Sequence, residues 1–289
     1  RIWQALFGVG LVRTPEDLGS QSMRPEYPEV LDLLAWKFSH PVNDGGFGWD
    51  LKRMIAAIMR SQTYRQRSIG EEKTMADDPG NIWLARGPRH RLPAEMIRDA
   101  ALATSGLLVD TIGGPPVKTY DLPDSFKPEP ADRGDALYRR SLYTYWRRTG
   151  PAPVLEAFDV PPRLACVARR DTTNTPLHAF VLMNGPQFVE AARVLAERLL
   201  AEHDGQPAAA VDHAFAILTS RQPDPTQQRI IHEMHAGQKA WYETHPEDAM
   251  QVVAIGARPW SVATPAIDVA ALAATINGLM NYDEVVVKR

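Results

Sequence analysis

Two carboxylates stand four residues apart in a stretch that the sequence predicts to be a helix. Glu95 and Asp99 lie within residues 93–105, and their spacing places both side chains on one helix face. Paired carboxylates in one cleft can act as general acid and general base. The simpler interpretation is an ion-paired helix surface, because Glu95 follows Arg91 by four residues and precedes Arg98 by three.

Arginine is concentrated in the middle of the chain, around these carboxylates. Residues 81–170 carry 14 Lys and Arg against 10 Asp and Glu, a balance of +4, whereas the whole chain has a net charge of −3. Of these 14 cations, 12 are arginines, whose planar guanidinium fork matches a sulfate or carboxylate group. Asp171 is a third candidate for an acid or base. The predicted anion-binding residues are Arg86, Arg89, Arg91, Arg169 and Arg170.

Metal and cofactor chemistry has little support in the sequence. His232 and His235 are three residues apart on a predicted helix, but no third ligand stands at a recognisable spacing. Cys166 is the one cysteine, which excludes an internal disulfide, a thiolate zinc cluster and a haem attachment motif. The sequence contains no Gly-rich phosphate loop, no G-x-S-x-G elbow and no H-E-x-x-H motif. We therefore predict no metal site and no cofactor within this chain.

The elements that must position these residues are predicted to be mainly α-helical. Apolar residues recur at intervals of three and four along most of the chain, whereas strand-like segments are rare. The expected fold is an irregular helical array with a short β-ribbon within residues 139–167, where aromatic residues are frequent. Residues 66–80 and the proline-rich residues 106–135 are expected to form loops. The predicted helices cover residues 28–40, 51–64, 93–105, 208–218, 225–244 and 266–281.

The strongest helical pattern lies in residues 169–200, which begin with a polar entry loop. In that loop Asn174 and Thr175 are expected to have structural roles, Thr175 as a helix N-cap. Pro186 should kink or restart the helix, because it has no N–H and its ring clashes with the carbonyl four residues earlier. Asn184 is expected to be buried, as an N-cap of the second segment or as a donor to a freed carbonyl. The predicted apolar stripe contains Leu177, Phe180, Val181, Phe188, Ala192, Leu195 and Leu199.

Length and composition fit one sizeable globular domain. The chain has 289 residues, of which 44% are hydrophobic and 23% charged. We predict a single helical domain, or two lobes, residues 1–105 and 169–289, joined by the Pro/Gly-rich and basic middle. The apolar residues 267–280 are interrupted by polar ones and fall short of the roughly 20 residues that span a bilayer. Because the first residue is Arg1, we expect upstream domains that this sequence does not include.

Several strings along the chain resemble one family. They are R-I-W-Q-A-L-F-G-V-G-L-V-R-T-P-E-D-L-G, W-D-L-K-R-M-I-A-A-I-M-R-S-Q-T-Y-R, R-L-P-A-E-M-I-R-D-A, R-R-D-T-T-N-T-P-L-H-A-F-V-L-M-N and N-Y-D-E. Together they resemble the planctomycete PSD-one family, domain of unknown function fifteen fifty-three, over essentially the whole chain. One departure is that His178 and Phe180 stand where the family commonly reads T-P-L-Q-A-L. An essential amide at that position is therefore in doubt.

The resemblance implies a C-terminal module of larger secreted or periplasmic proteins, whose activity is not established. Such proteins usually carry a second planctomycete domain upstream, often a c-type cytochrome domain and sometimes a lectin-like domain. The resemblance thus implies an extracytoplasmic location and partners among the upstream domains of the same polypeptide. Haem would be present only by association with an upstream cytochrome domain.

Two functions are compatible with these observations. The first is a helical module that is accessory to cytochrome-linked breakdown of extracellular polysaccharide. The second is an enzyme acting on an anionic glycan, with an arginine-rich site and a carboxylate as acid or base. Nucleic-acid binding is disfavoured by the net charge of −3 and by the expected location. Convergence of Glu95, Asp99 and the arginines in one cleft would favour the enzyme, and dispersal would favour the accessory module.

Overall fold

The computed structural model describes residues 1–121, 129–147 and 152–288, and these form two compact units. The first unit consists of residues 1–91, 167–169 and 287–289, and the second of residues 92–166 and 170–286. The division falls at residue 91. The sequence analysis considered lobes 1–105 and 169–289 joined by a middle stretch, whereas residues 92–166 belong to the second unit.

The first unit is built from short helices around a small apolar core. Phe7, Met54 and Ile58 are buried in that core, and the aromatic rings of Trp3 and Tyr64 contact it. A two-stranded antiparallel sheet pairs His90–Arg91 with Val287–Lys288. The elements are α1 (Ile2–Phe7), α2 (Pro28–Ser39), α3 (Leu51–Met59), α4 (Gln62–Arg65), α5 (Glu72–Asp77), β1 (His90–Arg91), β2 (Val287–Lys288) and a 3-10 helix at Val42–Asp44.

The sequence predicted some helices of this unit correctly and others with the wrong bounds. Asp50 is the predicted N-cap of α3, and its Oδ1 accepts the backbone N–H of Arg53 at 3.1 Å. The stretch predicted as one helix to residue 64 instead ends at Met59 and is followed by α4. Helix α2 forms where predicted, but none of its residues is buried. Residues 66–80 were expected to be a loop and contain α5.

The second unit contains the longer helices and the larger core. Helices α9 and α13 each contribute more buried residues than any other helix of this unit, and α10, α11 and α12 pack around α13. The predicted helices of this unit form within two residues of their expected limits, because proline and apolar periodicity mark them. Its helices are α6 (Ala94–Ser105), α7 (Pro153–Ala157), α8 (Pro176–Asn184), α9 (Pro186–Glu202), α10 (Pro207–Thr219), α11 (Pro225–Thr244), α12 (Pro246–Val253), α13 (Ala266–Met280) and α14 (Asp283–Val286).

The prediction of a mainly helical fold with one short β-ribbon is confirmed, but the ribbon lies elsewhere. It is formed by β1 and β2, and the described parts of the predicted range, residues 139–147 and 152–167, contain no strand. Short 3-10 helices occupy Gly134–Tyr138 and Ser141–Tyr143. The neighbouring Arg139 and Thr144 form isolated parallel bridges with Val109 and Val117. Frequent aromatic residues in that stretch therefore reflect packing of an irregular segment. Residue 148, also part of the expected strand, lies outside the described residues.

The central helical pattern breaks where the sequence predicts. Helix α8 ends at Asn184 and α9 begins at Pro186. The α9 part of the predicted stripe is buried as predicted, at Phe188, Ala192, Leu195 and Leu199. The α8 part was predicted wrongly, since Leu177 and Phe180 are 52% and 63% exposed. The buried residues of α8 are His178 and Leu182 instead.

Asn184 is exposed rather than buried, and it does not cap α9. Its Nδ2 donates to the carbonyl of Phe180 one turn earlier, at 3.0 Å. The carbonyl that loses its helical partner at Pro186 is that of Leu182, which accepts from Asn277 of α13 at 2.9 Å. The structural role predicted for Asn184 therefore belongs to Asn277.

Candidate functional site

A cavity of about 270 Å³ lies in the first unit. Its wall combines aromatic, aliphatic and arginine side chains with the backbone of a turn at Pro79 and Gly80. The lining side chains include Trp3, Phe7, Arg13, Glu26, Tyr27, Leu84, Arg86 and Arg89. Two of the predicted anion-binding residues, Arg86 and Arg89, are therefore part of one concave surface.

Arg86 is the buried charge of this cavity. Its side chain is 8% exposed, and its Nη2 donates to the carbonyls of Asp78 and Pro79 at 2.7 and 2.9 Å. Nη1 is buried and has no hydrogen-bond partner among the described residues. Arg86 nevertheless lines the cavity, and its positive charge there favours an anionic ligand.

The turn that holds Arg86 is fixed by Asp78. Its carboxylate accepts the backbone N–H groups of Ile82 and Trp83, each at 2.8 Å. Burial alone raises the pKa of Asp78, but these two bonds and the charges of Arg86 and Arg13 lower it below its usual value. Asp78 therefore stays ionised near Arg86 and offsets part of the positive charge.

Sequence reasoning missed several residues of this cavity. Arg13 lines it and donates from Nη2 to the carbonyl of Gly80 at 3.4 Å. Trp3 and Tyr27 also line it, and they lie far from Arg86 in the sequence. The sequence offered one sign of these residues, the aromatic side chains of the opening R-I-W-Q-A-L-F-G helix. Aromatic side chains can line a cavity as well as fill a core. Only the tertiary fold brings that helix to residues 79–89.

The second unit joins two of the predicted site residues in an ion pair. Arg170 donates to both oxygens of Glu95, at 2.6 and 3.0 Å. Burial raises the pKa of Glu95, but the hydrogen bonds and charge of Arg170, with the charge of Arg163, hold the pKa below its usual value. The sequence analysis named Arg91 and Arg98 as partners of Glu95, whereas its carboxylate is bonded to Arg170. The carboxylate of Glu95 and the guanidinium of Arg170 are therefore bonded to each other.

The carboxylate of Asp99 holds the irregular segment around residue 140. Its Oδ1 accepts the backbone N–H and the hydroxyl of Ser141 at 2.8 and 2.6 Å. The neighbouring Arg98 is buried and donates to Gln187, to Ser141 and to two backbone carbonyls of residues 137–139. Burial lowers the pKa of Arg98 to about 10. Arg98 and Asp99 thus fasten α6 to the irregular segment around residue 140.

The remaining predicted site residues are mostly on the surface. Arg169 and Asp171 are exposed, and so is the polar Asn174. Thr175 stands at the N-cap position of α8 as predicted, and its backbone N–H donates to Nδ1 of His178 at 3.4 Å. His178 is thus a buried helix-capping residue. Arg91 lies in β1 opposite Val287.

The two histidines of α11, His232 and His235, lie in different environments. Nε2 of His232 lies 2.8 Å from Oδ1 of Asp212 on α10, and His235 is buried. Within residues 1–121, 129–147 and 152–288, no group of three or more His, Cys, Asp or Glu side chains is arranged to hold a metal ion. In the same residues no helix combines the length and the apolar character that a membrane crossing requires.

A buried ionic network on α9 was not predicted from the sequence. Oε1 of Glu190 accepts from the hydroxyl of Tyr138 at 2.7 Å and from the backbone N–H groups of Ala257 and Arg258, each at 2.8 Å. Arg193, one turn further along, donates to the carbonyls of residues 255 and 258. These charges hold the loop after α12. Most of the other buried residues of α9 are apolar, so the spacing of apolar residues predicts the helix but does not indicate that Glu190 and Arg193 are buried with them.

The fold and the cavity define a helical protein with an arginine-containing, aromatic-walled pocket in one of its two units. The chain belongs to the family PSD1, described as "Protein of unknown function (DUF1553)", whose family model matches residues 1–235. The matched span covers the cavity and ends within α11. Comparison with curated proteins and with solved structures gives no significant match.

Proposed function

We propose that this chain is an extracytoplasmic accessory module that binds the anionic groups of a polysaccharide in the cavity of the first unit. The supporting observation is that three arginines, Arg13, Arg86 and Arg89, line this one cavity. Guanidinium groups on one concave wall are suited to a sulfate or carboxylate group. The resemblance described above suggests the location and an upstream cytochrome domain, which would bring the haem.

The aromatic wall supports a carbohydrate ligand. Trp3 and Phe7 stack with ring centroids 4.2 Å apart, and Tyr27 lines the same cavity. Aromatic faces bind the apolar faces of rings while nearby polar groups fix their orientation. A module with this site would hold a polymer near the upstream domains without changing it chemically.

The alternative is an enzyme that acts on an anionic glycan through Glu95, Asp99 or Asp171. A general acid at neutral pH needs a raised pKa, whereas the pKa of Glu95 is lowered by Arg170. Asp99 is occupied by two hydrogen bonds from Ser141. These contacts favour structural roles for both carboxylates and so favour the accessory module.

Titration of a polyuronate and of heparin at low and at high salt tests the proposal. The double variant Arg13→Gln/Arg89→Gln removes two charges from the cavity wall and should weaken binding of at least one of these polymers. The matched control is Arg60→Gln/Arg65→Gln, which removes two charges from exposed residues of the same unit that do not line the cavity. Equal affinities for the two double variants, or no binding at low salt, would exclude this site.

A further inference from the structure

We infer that Trp83 is a platform on which one sugar ring of the polysaccharide stacks. Trp83 lies in the first unit, in a turn formed by residues 78–87 that we call the Trp83 turn. Leu84 N–H donates to the carbonyl of Asn81 at 3.3 Å, so that Ile82 and Trp83 are the two residues at its tip. This inference rests on the proposed function, since it adds a second contact for the same polymer.

The indole of Trp83 is exposed and has no ring against it. Trp83 is 59% exposed, and in the part of the chain that the structure describes no aromatic ring stacks on it and no cation lies over it. Single exposed apolar residues are common on proteins, so exposure by itself identifies no site. The other exposed tryptophans each contact a second ring, with centroids 4.4 Å apart for Trp36 and His40, 5.1 Å for Trp49 and Phe38, and 3.8 Å for Trp241 and His245.

The backbone on both sides of Trp83 is held by polar side chains. The carboxylate of Asp78 accepts the N–H of Trp83 at 2.8 Å, and Nε2 of Gln66 donates to the carbonyl of Leu84 at 2.9 Å. Leu84 has a φ of 50°, in the left-handed region that a leucine adopts only at a cost in free energy. The bonds around it offset that cost and fix the backbone that carries the indole.

Asn81 and Arg86 clamp the Trp83 turn. Nδ2 of Asn81 donates to the carbonyl of Arg86 at 2.9 Å, and its Oδ1 accepts the N–H of Arg86 at 3.3 Å. Nη2 of Arg86 donates to the carbonyls of Asp78 and Pro79. Asn81 is itself left-handed, with a φ of 48°. Strain that is held by surrounding bonds is typical of functional loops, so we assign Asn81 and Arg86 as positioning residues for the platform.

The platform lies next to the cavity of the first unit. Ile82 and Leu84 line the cavity, and Trp83 stands between them in the chain without lining it. Consecutive Cα atoms are about 3.8 Å apart, which brings Trp83 close to the wall. A polysaccharide that binds the arginines extends beyond a cavity of about 270 Å³, and Trp83 offers it an apolar surface just outside.

A sugar ring suits a single exposed indole better than a protein surface does. The C–H face of a sugar ring can lie flat on an aromatic ring while its hydroxyl groups stay in water. A specific protein interface buries about 800 Å² on each partner and has several buried anchors. Within residues 78–87 the exposed large apolar residues are Ile82, at 38%, and Trp83.

Calorimetric titration of the whole chain with three hexasaccharides tests the inference. The probes are the neutral cellohexaose and xylohexaose and the anionic hexagalacturonate. At least one should bind, and Trp83→Ala should weaken binding of the tightest about tenfold or more, because an aromatic stack is lost. Trp83→Phe should retain most of the affinity, since an aromatic face remains. Trp241→Ala, at an exposed tryptophan of the second unit, is the matched control and should leave the affinity unchanged.

Salt separates the platform from the arginines of the cavity. Stacking is not a contact between charges, so Trp83→Ala should weaken binding by the same factor at low and at high salt. The loss caused by Arg13→Gln/Arg89→Gln should be confined to the anionic probe and should shrink as salt rises, because charges are screened.

Asn81→Gly tests the positioning role. Glycine adopts a left-handed φ without strain, so this variant removes the clamp on Arg86 but tolerates the same backbone. It should weaken binding about threefold or more in the original chain and have no further effect in Trp83→Ala, because Asn81 acts through the indole. Additive losses in the double variant would overturn the positioning role.

Binding of none of the hexasaccharides, or equal affinities for Trp83→Ala and the original chain, would overturn the inference and favour a protein partner for the indole. Equal losses in Trp83→Ala and Trp241→Ala would overturn it as well. Polymer binding that is lost in Arg13→Gln/Arg89→Gln but unchanged in Trp83→Ala would leave the proposed function standing without the platform. The reverse result would keep the platform and remove the anion-binding cavity.

Discussion

The side-chain amide of Asn277 donates to the backbone carbonyl of Leu182 at 2.9 Å, across 95 residues of sequence. In an uninterrupted helix this carbonyl would accept the N–H of residue 186, which is a proline and has none. Asn277 is 8% exposed and reaches the break between α8 and α9 from α13. One buried amide therefore allows the chain to restart its central helix inside the core.

Replacing Asn277 with Leu should lower the free energy of unfolding by about 1 to 3 kcal/mol, because the carbonyl of Leu182 would be buried without a donor. Urea denaturation followed by circular dichroism measures the loss. The same replacement at the exposed Asn184 is the control and should change stability by no more than about 0.5 kcal/mol. A larger loss at Asn184 than at Asn277 would contradict the assignment.

Replacing Arg98 with Met should cost about 3 kcal/mol or more, since the side chain is buried and its loss leaves several buried acceptors unpaired. Arg229→Met is the matched control. Arg229 forms an exposed ion pair with Glu233 one turn away on α11 and should contribute less than about 0.5 kcal/mol. Thermal unfolding of both variants gives the comparison, and similar losses would exclude a structural role for Arg98.

The pKa of Glu95 should rise toward its ordinary value of 4.5 in Arg170→Gln. Because the pKa is lowered in the folded state, the ion pair stabilises the protein above the ordinary pKa, and this stabilisation is lost as pH falls through the lowered value. NMR titration of the Glu95 side-chain carboxyl measures the shift. Arg140→Gln, which breaks the pair of Arg140 with Asp110, should leave the Glu95 titration unchanged.

Tyr138 gives the second unit a dependence on alkaline pH. Burial, the hydrogen bond to Glu190 and the negative charge of Glu190 raise the pKa of Tyr138 above its ordinary value of 10.0. Its stabilisation is therefore complete below pH 10.0 and lost as pH rises through the raised value.

In Tyr138→Phe the free energy of unfolding should be about 1 to 3 kcal/mol lower at neutral pH and should fall less steeply above pH 10 than in the original chain. Urea denaturation across that range measures both effects. Tyr145→Phe is the control, since Tyr145 has no bond to Glu190 among the described contacts. An identical alkaline slope for Tyr138→Phe and the original chain would show that this hydroxyl does not titrate with unfolding.

The helices of the second unit were predictable because their signals are local. Prolines open α9, α10 and α11, and apolar residues recur along each helix at helical spacing. The ribbon was misplaced because β1 and β2 are two residues long and lie far apart in the sequence, at residues 90–91 and 287–288. No local pattern can report a pairing of that kind.

The site was only partly predictable for a related reason. Arginine type and clustering pointed to Arg86 and Arg89, and both line the cavity. The sequence could not indicate that Glu95 bonds to Arg170, 75 residues away, or that Asp99 bonds to Ser141. The partner of a charged side chain depends on tertiary contacts, and these decide whether it meets solvent, a ligand or the protein itself.

Strand β2 has a consequence for the order of events during synthesis. Nζ of Lys288 donates to the carbonyl of Leu6 at 2.8 Å, across 282 residues, and β2 completes the sheet with β1. A growing chain can therefore assemble helices α1 to α5 early but must leave their sheet edge open until nearly 200 further residues have emerged, at roughly 5 to 20 residues per second. The unit whose helices are translated first therefore gains its last strand only after the helices of the second unit have been translated.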